Sequence, residues 1–568
     1  LDTPVDKIIF DVGHQAYAHK ILTGRNKNFD TLRQYKGLSG FPSKDESAYD
    51  VFTTGHSSTA VSLALGLVTA RDYLGPGQQF KVVAIIGDGS LSGGLCFEGL
   101  NNTGHLKKDI LIVLNTNELS IAPNVGALST YLNKVISLPL YNRFKNSLEG
   151  FVQSRIPKGG RLLTIANKFE EGLKGLFIPG MLFEELGFRY FGPFDGHNLP
   201  NLIHTIKNIM TIKGPRLLHV VTKKGKGYAP AEKEPVRFHG TGPFEISSGK
   251  SLAKSDSLFK TYTEVFSNKL VELAKDNKKI VAVTAAMPEG TGLDKFRDAY
   301  PSRFFDVGIA EAHAVCFAAG LAKGGLKPVV AVYSTFLQRA YDQISEEVSL
   351  QDLGVIFAID RAGIVGEDGA THQGIYDIAF LRNIPNLVIM SPKDARELEQ
   401  MLEFAVGLNS PAVIRYPKAV CMLARMPQSG SLELGKAEIL KEGKDFAVIA
   451  IGDMVIPCLE ALNLLEKEGL SGTLVNARFV KPLDVNLIKT LAEKVKYIYT
   501  VEDGVAEGGL GSAVSEAVNK PVIRLGLPSD FIAHGKRDIL MEKYGLTKEG
   551  IFYRIKDTVV KNGKDNHK

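Results

Sequence analysis

Short apolar runs rich in β-branched residues alternate with stretches of helical periodicity along most of the chain. Runs at 80–87 and 109–116 bracket one amphipathic stretch, and the chain also opens with a strand-like run ending at Phe10. Further runs fall near 280–285, 328–333, 355–360, 386–390 and 412–416, then near 446–451, 473–478, 497–502 and 521–525. A strand that is apolar throughout is buried on both faces, and alternation with helices predicts parallel sheets covered on both sides. The pattern breaks at 236–257 and at 424–436, which are rich in Gly, Ser and Pro and read as linkers. An α/β chain of three domains is expected, at about 1–245, 255–425 and 430–568, each a mostly parallel sheet flanked by helices. Residues 124–180 lack clear strands and read as a helical or mobile excursion over the active site. No internal repeat stands out.

Composition narrows the function classes. With 568 residues, 44% of them hydrophobic, the chain can bury several cores. It has no run of about 18 apolar residues, so no membrane span is expected. The formal net charge is +6, but the basic residues are scattered apart from a short cluster at Lys223, Lys224 and Lys226. A nucleic-acid binder would carry a basic stripe or arm, so the excess points to small anionic ligands. Cys96, Cys316, Cys421 and Cys458 are far apart and form no Cys-x-x-Cys pair. Reduced, structural cysteines and a cytoplasmic location follow. The chain begins at Leu1 rather than Met, directly ahead of a strand, and reads as a fragment.

The run at 80–87 ends in Gly87-Asp88-Gly89-Ser90, and the run at 109–116 ends at Asn117. In a parallel sheet both polar residues stand at the carboxyl ends of strands, where open α/β folds bind ligands. A carboxylate beside an amide oxygen suits Mg²⁺, which is usually shared with substrate phosphates. The plainer reading is a strand-to-helix turn that contains an Asp. The spacing, however, resembles the magnesium–diphosphate motif of thiamine diphosphate enzymes. That resemblance implies Asp88 and Asn117 as side-chain ligands and the Leu119 carbonyl as a third. A second motif, Gly308-Ile-Ala-Glu311-Ala-His313, opens an apolar helix. An acid there also complements the helix dipole. Within the same families the glutamate hydrogen-bonds the cofactor's pyrimidine ring, and an apolar pocket with a raised pKa suits that task. The diphosphate falls to the first domain and the pyrimidine to the second, with Phe336 as a candidate to stack on the ring.

Other motifs narrow the likeness. They are Gly13-His14-Gln through Gly24-Arg25, Gly55-His56-Ser57-Ser58, Thr222-Lys-Lys-Gly-Lys-Gly-Tyr228, Tyr333-Ser-Thr-Phe336-Leu-Gln-Arg339, Asp360-Arg361 through Asp368 to His372, and Arg415-Tyr-Pro-Lys418. In family order they resemble the 1-deoxy-D-xylulose 5-phosphate synthases over essentially the whole chain. The resemblance implies a transketolase-like fold and condensation of pyruvate with D-glyceraldehyde 3-phosphate, using thiamine diphosphate and Mg²⁺, in a homodimer. It assigns His14, Gly55, His56, Ser57, Gly89, Ser90, Asn117, Tyr228, Glu311 and Phe336 to the cofactor. It assigns Tyr333, Arg339, Arg361, Asp368, His372 and Arg415 to substrate, with Arg361 and Arg415 on the aldehyde's phosphate. Catalytic roles are implied for Glu311, His372, His56, His14, Asp368 and His239. Singly, each histidine or arginine could be an ordinary paired residue. Family members also carry an upstream Ser-Gly-His segment that this chain does not contain. Transketolase and a 2-oxoacid dehydrogenase component share the cofactor motifs, and a catalytically dead scaffold is a reading from another class. The loop from Arg361 to His372 argues against the first two.

Overall fold

The computed structural model describes residues 1–13, 16–75, 77, 79–117, 125–137, 180–252, 260–421 and 431–564. His14, Leu119 and most of the expected 124–180 excursion lie outside the described residues. The chain forms two compact units, Leu1–Thr23 with Phe41–Ala253 and Gly24–Gly40 with Lys254–Lys568. The segment Gly24–Gly40 groups with the second unit. No helix among the described residues is long and apolar enough to cross a membrane.

The first unit holds a parallel five-stranded sheet. Its strands are β1 (Lys7–Phe10), β2 (Val82–Gly87), β3 (Ile110–Thr116), β4 (Arg189–Asp195) and β5 (Pro215–Val221), in the order β1-β2-β3-β5-β4. Successive strand residues face opposite sides, and both sides are covered. Val82, Ala84 and Ile86 pack with Val61, Ala64, Cys96 and Leu100 of the helices Ala60–Leu74 and Gly94–Leu106. Val83 and Leu111 join Leu218 and Ile209 on the other side, with Leu202 and Ile206 of the helix Leu199–Ile209.

Residues 236–252, expected as a linker, instead belong to the first unit. Tyr228, Phe238 and Phe244 form an aromatic knot with ring centroids 5.2–5.9 Å apart. The Tyr228 hydroxyl donates to the Ile246 carbonyl at 2.7 Å. The Gly- and Pro-rich composition reflects tight turns around those rings. Residues 253–259 are outside the described residues.

The second unit contains two sheets. The larger is built from β6 (Ile280–Thr284), β7 (Phe304–Asp306), β8 (Lys327–Tyr333), β9 (Ile356–Asp360), β10 (Val388–Met390) and β11 (Ala412–Arg415). The smaller comprises β12 (Glu438–Lys441), β13 (Phe446–Ala450), β14 (Gly472–Asn476), β16 (Tyr497–Val505) and β17 (Val522–Leu527). The strand between β14 and β16, β15 (Phe479–Lys481), crosses over and pairs antiparallel with β10. The orders are β15-β10-β11-β9-β8-β6-β7 and β12-β14-β13-β16-β17, parallel except at β15 and β12. Local signals start the helices: Thr261 and Glu264 form a reciprocal capping box for Tyr262–Asp276, and Asp394 caps Ala395–Gly407.

Candidate active site

In the first unit, β2 and β3 are adjacent and parallel, so their carboxyl ends open side by side. Asp88 follows β2 and Asn117 follows β3. One Asp88 oxygen accepts the Asn117 backbone N–H at 3.1 Å, and the other accepts that of Gly89 at 2.9 Å. The Ser90 carbonyl accepts the Ser58 hydroxyl at 2.9 Å. Asp11, buried at the end of β1, holds that neighbouring segment. It accepts the N–H groups of Ser58 at 2.7 Å and of Thr59 and Ala60 at 3.0 Å, at the start of the helix Ala60–Leu74. This anchor sets Ser58, which directly follows Gly55, His56 and Ser57 in the chain, beside Ser90.

Lys224 follows β5, within the Thr222–Tyr228 motif in which the sequence reading gave a role to Tyr228 alone. Burial pulls its pKa down to about 8, against the upward pull of the Asp88 carboxylate. Its ammonium lies 2.5 Å from Nδ1 of His239. Beneath the strand ends, His219 bridges the hydroxyls of Thr116 and Tyr190, each at 2.7 Å. Burial lowers its pKa to about 4, so the imidazole is neutral at pH 7.

In the second unit, Tyr333 closes β8, Arg361 follows β9 and Lys418 lies beyond β11, on three neighbouring strands. Arg361 sits at a φ of 60° and its guanidinium stacks 3.7 Å from the centre of the Tyr333 ring. Phe336 stacks on Tyr333 at 5.7 Å and meets His372 edge-on at 5.5 Å. Tyr333 is buried, which pushes its hydroxyl up to about 12. Gly290 makes room for it: a Cβ there would lie 1.8 Å from the hydroxyl.

Residues 361–374 form a loop whose neck is closed by reciprocal bonds between Gly363 and Gly374, at 2.7 and 2.8 Å. Asp368 on this loop pairs with Arg33 of the Gly24–Gly40 segment. Burial alone would raise its pKa, but the charges of His372, Arg33, Lys418 and Arg361 hold it below the usual range. Burial and then Arg361 push the Lys418 pKa down, against Asp368, Glu367 and Asp360. His372 Nδ1 lies 2.8 Å from the Thr371 hydroxyl.

Glu311 is the first residue of the helix Glu311–Lys323 and is 5% exposed. Burial raises its pKa, and the Arg339 guanidinium 3.6 Å away restrains the rise. Burial thus favours the protonated carboxyl, the form that can donate a hydrogen bond.

Residues 1–222 match the family model for 1-deoxy-D-xylulose-5-phosphate synthase. Residues 260–422 match the transketolase pyrimidine binding domain and 435–551 the transketolase C-terminal domain. Among solved structures, a split gene transketolase described as an inactive beta4 tetramer is 32% identical, covering 53% of this chain and 98% of its own, with a TM-score of 0.48. The chain is 51% identical over 569 residues to the 1-deoxy-D-xylulose-5-phosphate synthase of Caldanaerobacter subterraneus subsp. tengcongensis, covering 99% of this chain and 90% of the relative. The chain belongs to the 1-deoxy-D-xylulose-5-phosphate synthase family. The synthase of Pelotomaculum thermopropionicum is likewise 51% identical, over 97% of this chain and 86% of its own.

It is therefore a thiamine diphosphate-dependent transferase. It condenses pyruvate with D-glyceraldehyde 3-phosphate, with loss of CO₂, to give 1-deoxy-D-xylulose 5-phosphate, the first step of non-mevalonate isoprenoid biosynthesis. The transketolase and dehydrogenase alternatives are set aside by these matches.

One expected residue of this synthase is corrected. Arg415 is 1% exposed, within bonding distance of Asp377 at 2.9 Å and Asp503 at 2.6 Å. It is the last residue of β11 and points into a buried ion cluster, so it is not available to a substrate phosphate. Lys418, just past the strand end, is a cation whose charge Arg361 acts on and to which the sequence reading gave no role. Arg33 was overlooked too, because nothing in the sequence ties residues 24–40 to a loop at 368.

Proposed function

We propose that this family member works through two constellations of its own residues. Asp88 and Asn117, with the Leu119 carbonyl, hold Mg²⁺, and Gly55, His56, Ser57, Gly89, Ser90, Lys224 and Tyr228 line the diphosphate end of the cofactor. His14 is assigned there as well. The donor set fits: a carboxylate and an amide stand at neighbouring strand ends, with an ammonium close by, and hard oxygens are what Mg²⁺ prefers. Thiamine diphosphate, once bound, supplies the electron sink for cleaving pyruvate's carboxylate.

Glu311 carries the reading. A buried carboxyl with a raised pKa, beside Arg339, is suited to donate a hydrogen bond to the cofactor's pyrimidine ring nitrogen. Phe336 supplies an aromatic face. Arg361 and Lys418 hold the aldehyde's phosphate through charge-assisted bonds, with Tyr333 beneath Arg361. Asp368 and His372 move protons at the reacting carbonyl, and His239 serves a proton step through its contact with Lys224. Glu311 governs the cofactor, so Glu311→Ala should remove product formation by about a hundredfold or more. Thiamine diphosphate binding, measured by calorimetry in Mg²⁺, should persist. Retained turnover in that variant would defeat the reading.

The domain limits at about 1–245, 255–425 and 430–568, a homodimer and a cytoplasmic location belong to the same proposal. All four cysteines are free, which supports a reducing compartment. Sedimentation equilibrium tests the dimer directly, and a monomer at assay concentration would remove it.

A further inference from the structure

Asp368 and His372 are carried by a loop, and loops move unless something fixes them. Gln373 follows His372 directly and is 2% exposed. Its Oε1 accepts the backbone N–H of Val365 at 2.7 Å and of Gly366 at 3.3 Å. Its Nε2 faces the Ala533 carbonyl at 3.4 Å. The orientation of the amide is forced, since turning it over would set donors against donors on one side and two oxygens together on the other. One side chain therefore grips the rising limb of the loop from its falling limb and reaches residues 530–537 beyond the smaller sheet. That region grips the loop again, with the Gly535 N–H donating to the Gly366 carbonyl at 3.3 Å, and just past the neck the Tyr376 hydroxyl donates to the Asp530 carbonyl at 3.4 Å. A Cβ on Gly369 would meet the His534 side chain at 3.0 Å.

We propose that Gln373 is a positioning residue for the condensation, fixing the 364–372 loop so that Asp368 and His372 stand in place for proton transfer. The inference rests on the proton-handling reading of those two residues given above. The neck at Gly363 and Gly374 sets the boundary of its influence. Arg361 lies before the neck and Lys418 beyond the end of another strand, and none of the bonds given for Gln373 reaches either of them. A general loss of structure would not respect that boundary.

The test is steady-state kinetics of the holoenzyme. Gln373→Met, of similar length but without hydrogen-bonding groups, should lower kcat by roughly tenfold to a hundredfold. Its KM for glyceraldehyde 3-phosphate should stay within about twofold and its thiamine diphosphate affinity should not change, because the groups proposed for both lie outside the loop. Gln373→Glu keeps the two acceptor contacts but sets an oxygen against the Ala533 carbonyl, so its kcat should fall between that of Met and that of the parent. A Met variant with full kcat, a KM that climbs as kcat falls, or a Glu variant no better than Met would each overturn the proposal. Amide exchange on the unmodified protein gives a reading independent of folding in the variants: the Val365 and Gly366 N–H groups should be protected, and exchange at the rate of an open loop would also overturn it. Asp368→Asn and His372→Asn are run alongside. If neither lowers kcat, the proton-handling reading fails, a result distinct from any obtained with Gln373.

Discussion

Arg415 and Lys418 sit near the end of one strand and do different work. Arg415 lies among Asp377 and Asp503 with no route to solvent, whereas Lys418 stands where Arg361 and Asp368 act on its charge. Removing one partner from a buried ion cluster leaves charge without compensation and costs about 3–5 kcal/mol. Arg415→Ala should therefore lower the urea midpoint strongly, and KM for the aldehyde phosphate in the folded fraction should hold. Lys418→Ala should do the reverse. Loss of one charge-assisted bond is worth about 1.5–3 kcal/mol, so KM should rise by roughly tenfold or more. The motif Arg415-Tyr-Pro-Lys418 made the presence of a cation legible, but not which one faced the site, because that depends on where β11 ends. A second residue-scale effect concerns Glu502. Burial pushes its pKa to about 7, although it accepts the N–H groups of Leu510 and Gly511. The folded state thus holds a proton that the unfolded state releases, and stability declines as pH rises from the ordinary carboxylate range through about 7. Chemical denaturation between pH 5 and 8 should show that slope flattened in Glu502→Gln.

At the scale of elements, the apolar period revealed the strands that are apolar throughout, and it passed over those that carry polar cargo. β5 holds Arg216 and His219 inside, and β15 is short and leaves its own domain to complete another sheet. Neither gives the uninterrupted run that marked β2, β3 or β9. Yet β5 positions the site, since His219 ties Thr116, next to Asn117, to Tyr190 on β4. His219→Phe leaves the buried Thr116 hydroxyl without that partner, at a cost of about 1–3 kcal/mol. Its pH signature has the opposite sign to that of Glu502. With a folded-state pKa of about 4, His219 resists a proton that the unfolded chain accepts, so stability falls as pH drops from about 6.5 to about 4. Thermal melts across that range should show the acid slope in the parent protein and a shallower one in His219→Phe. An unchanged slope would mean that the imidazole is hydrated and not sealed.

Across the whole second unit, the chain break expected at 424–436 marks a change of sheet but not a mechanical joint. Composition reports where the chain turns polar and says nothing about which buried charges meet across the turn. Lys393, just past β10, is fully buried with its ammonium 3.1 Å from both Glu397 and Glu438. Glu397 also accepts from Arg478 Nε and Asn476 Nδ2, each at 2.9 Å. Lys393 and Glu397 belong to the larger sheet's layer, whereas Glu438, Asn476 and Arg478 come from the segment that builds the smaller one. The Ser391 N–H donates to the Arg478 carbonyl at 3.0 Å, and β15 follows at once to pair with β10. A buried network shared in this way couples the two sheets, because separating them strands cations and anions alike in a dry interior. Glu397→Ala removes the anion on which Lys393, Arg478 and Asn476 converge and should cost about 3–5 kcal/mol. Calorimetry on the parent protein should show residues 254–568 melting in one transition. In Glu397→Ala that transition should move down and split, the smaller sheet separating from the larger. Two resolved transitions in the parent, or a variant within about 1 kcal/mol of it, would mean that the sheets are held by apolar packing and the ion network is incidental.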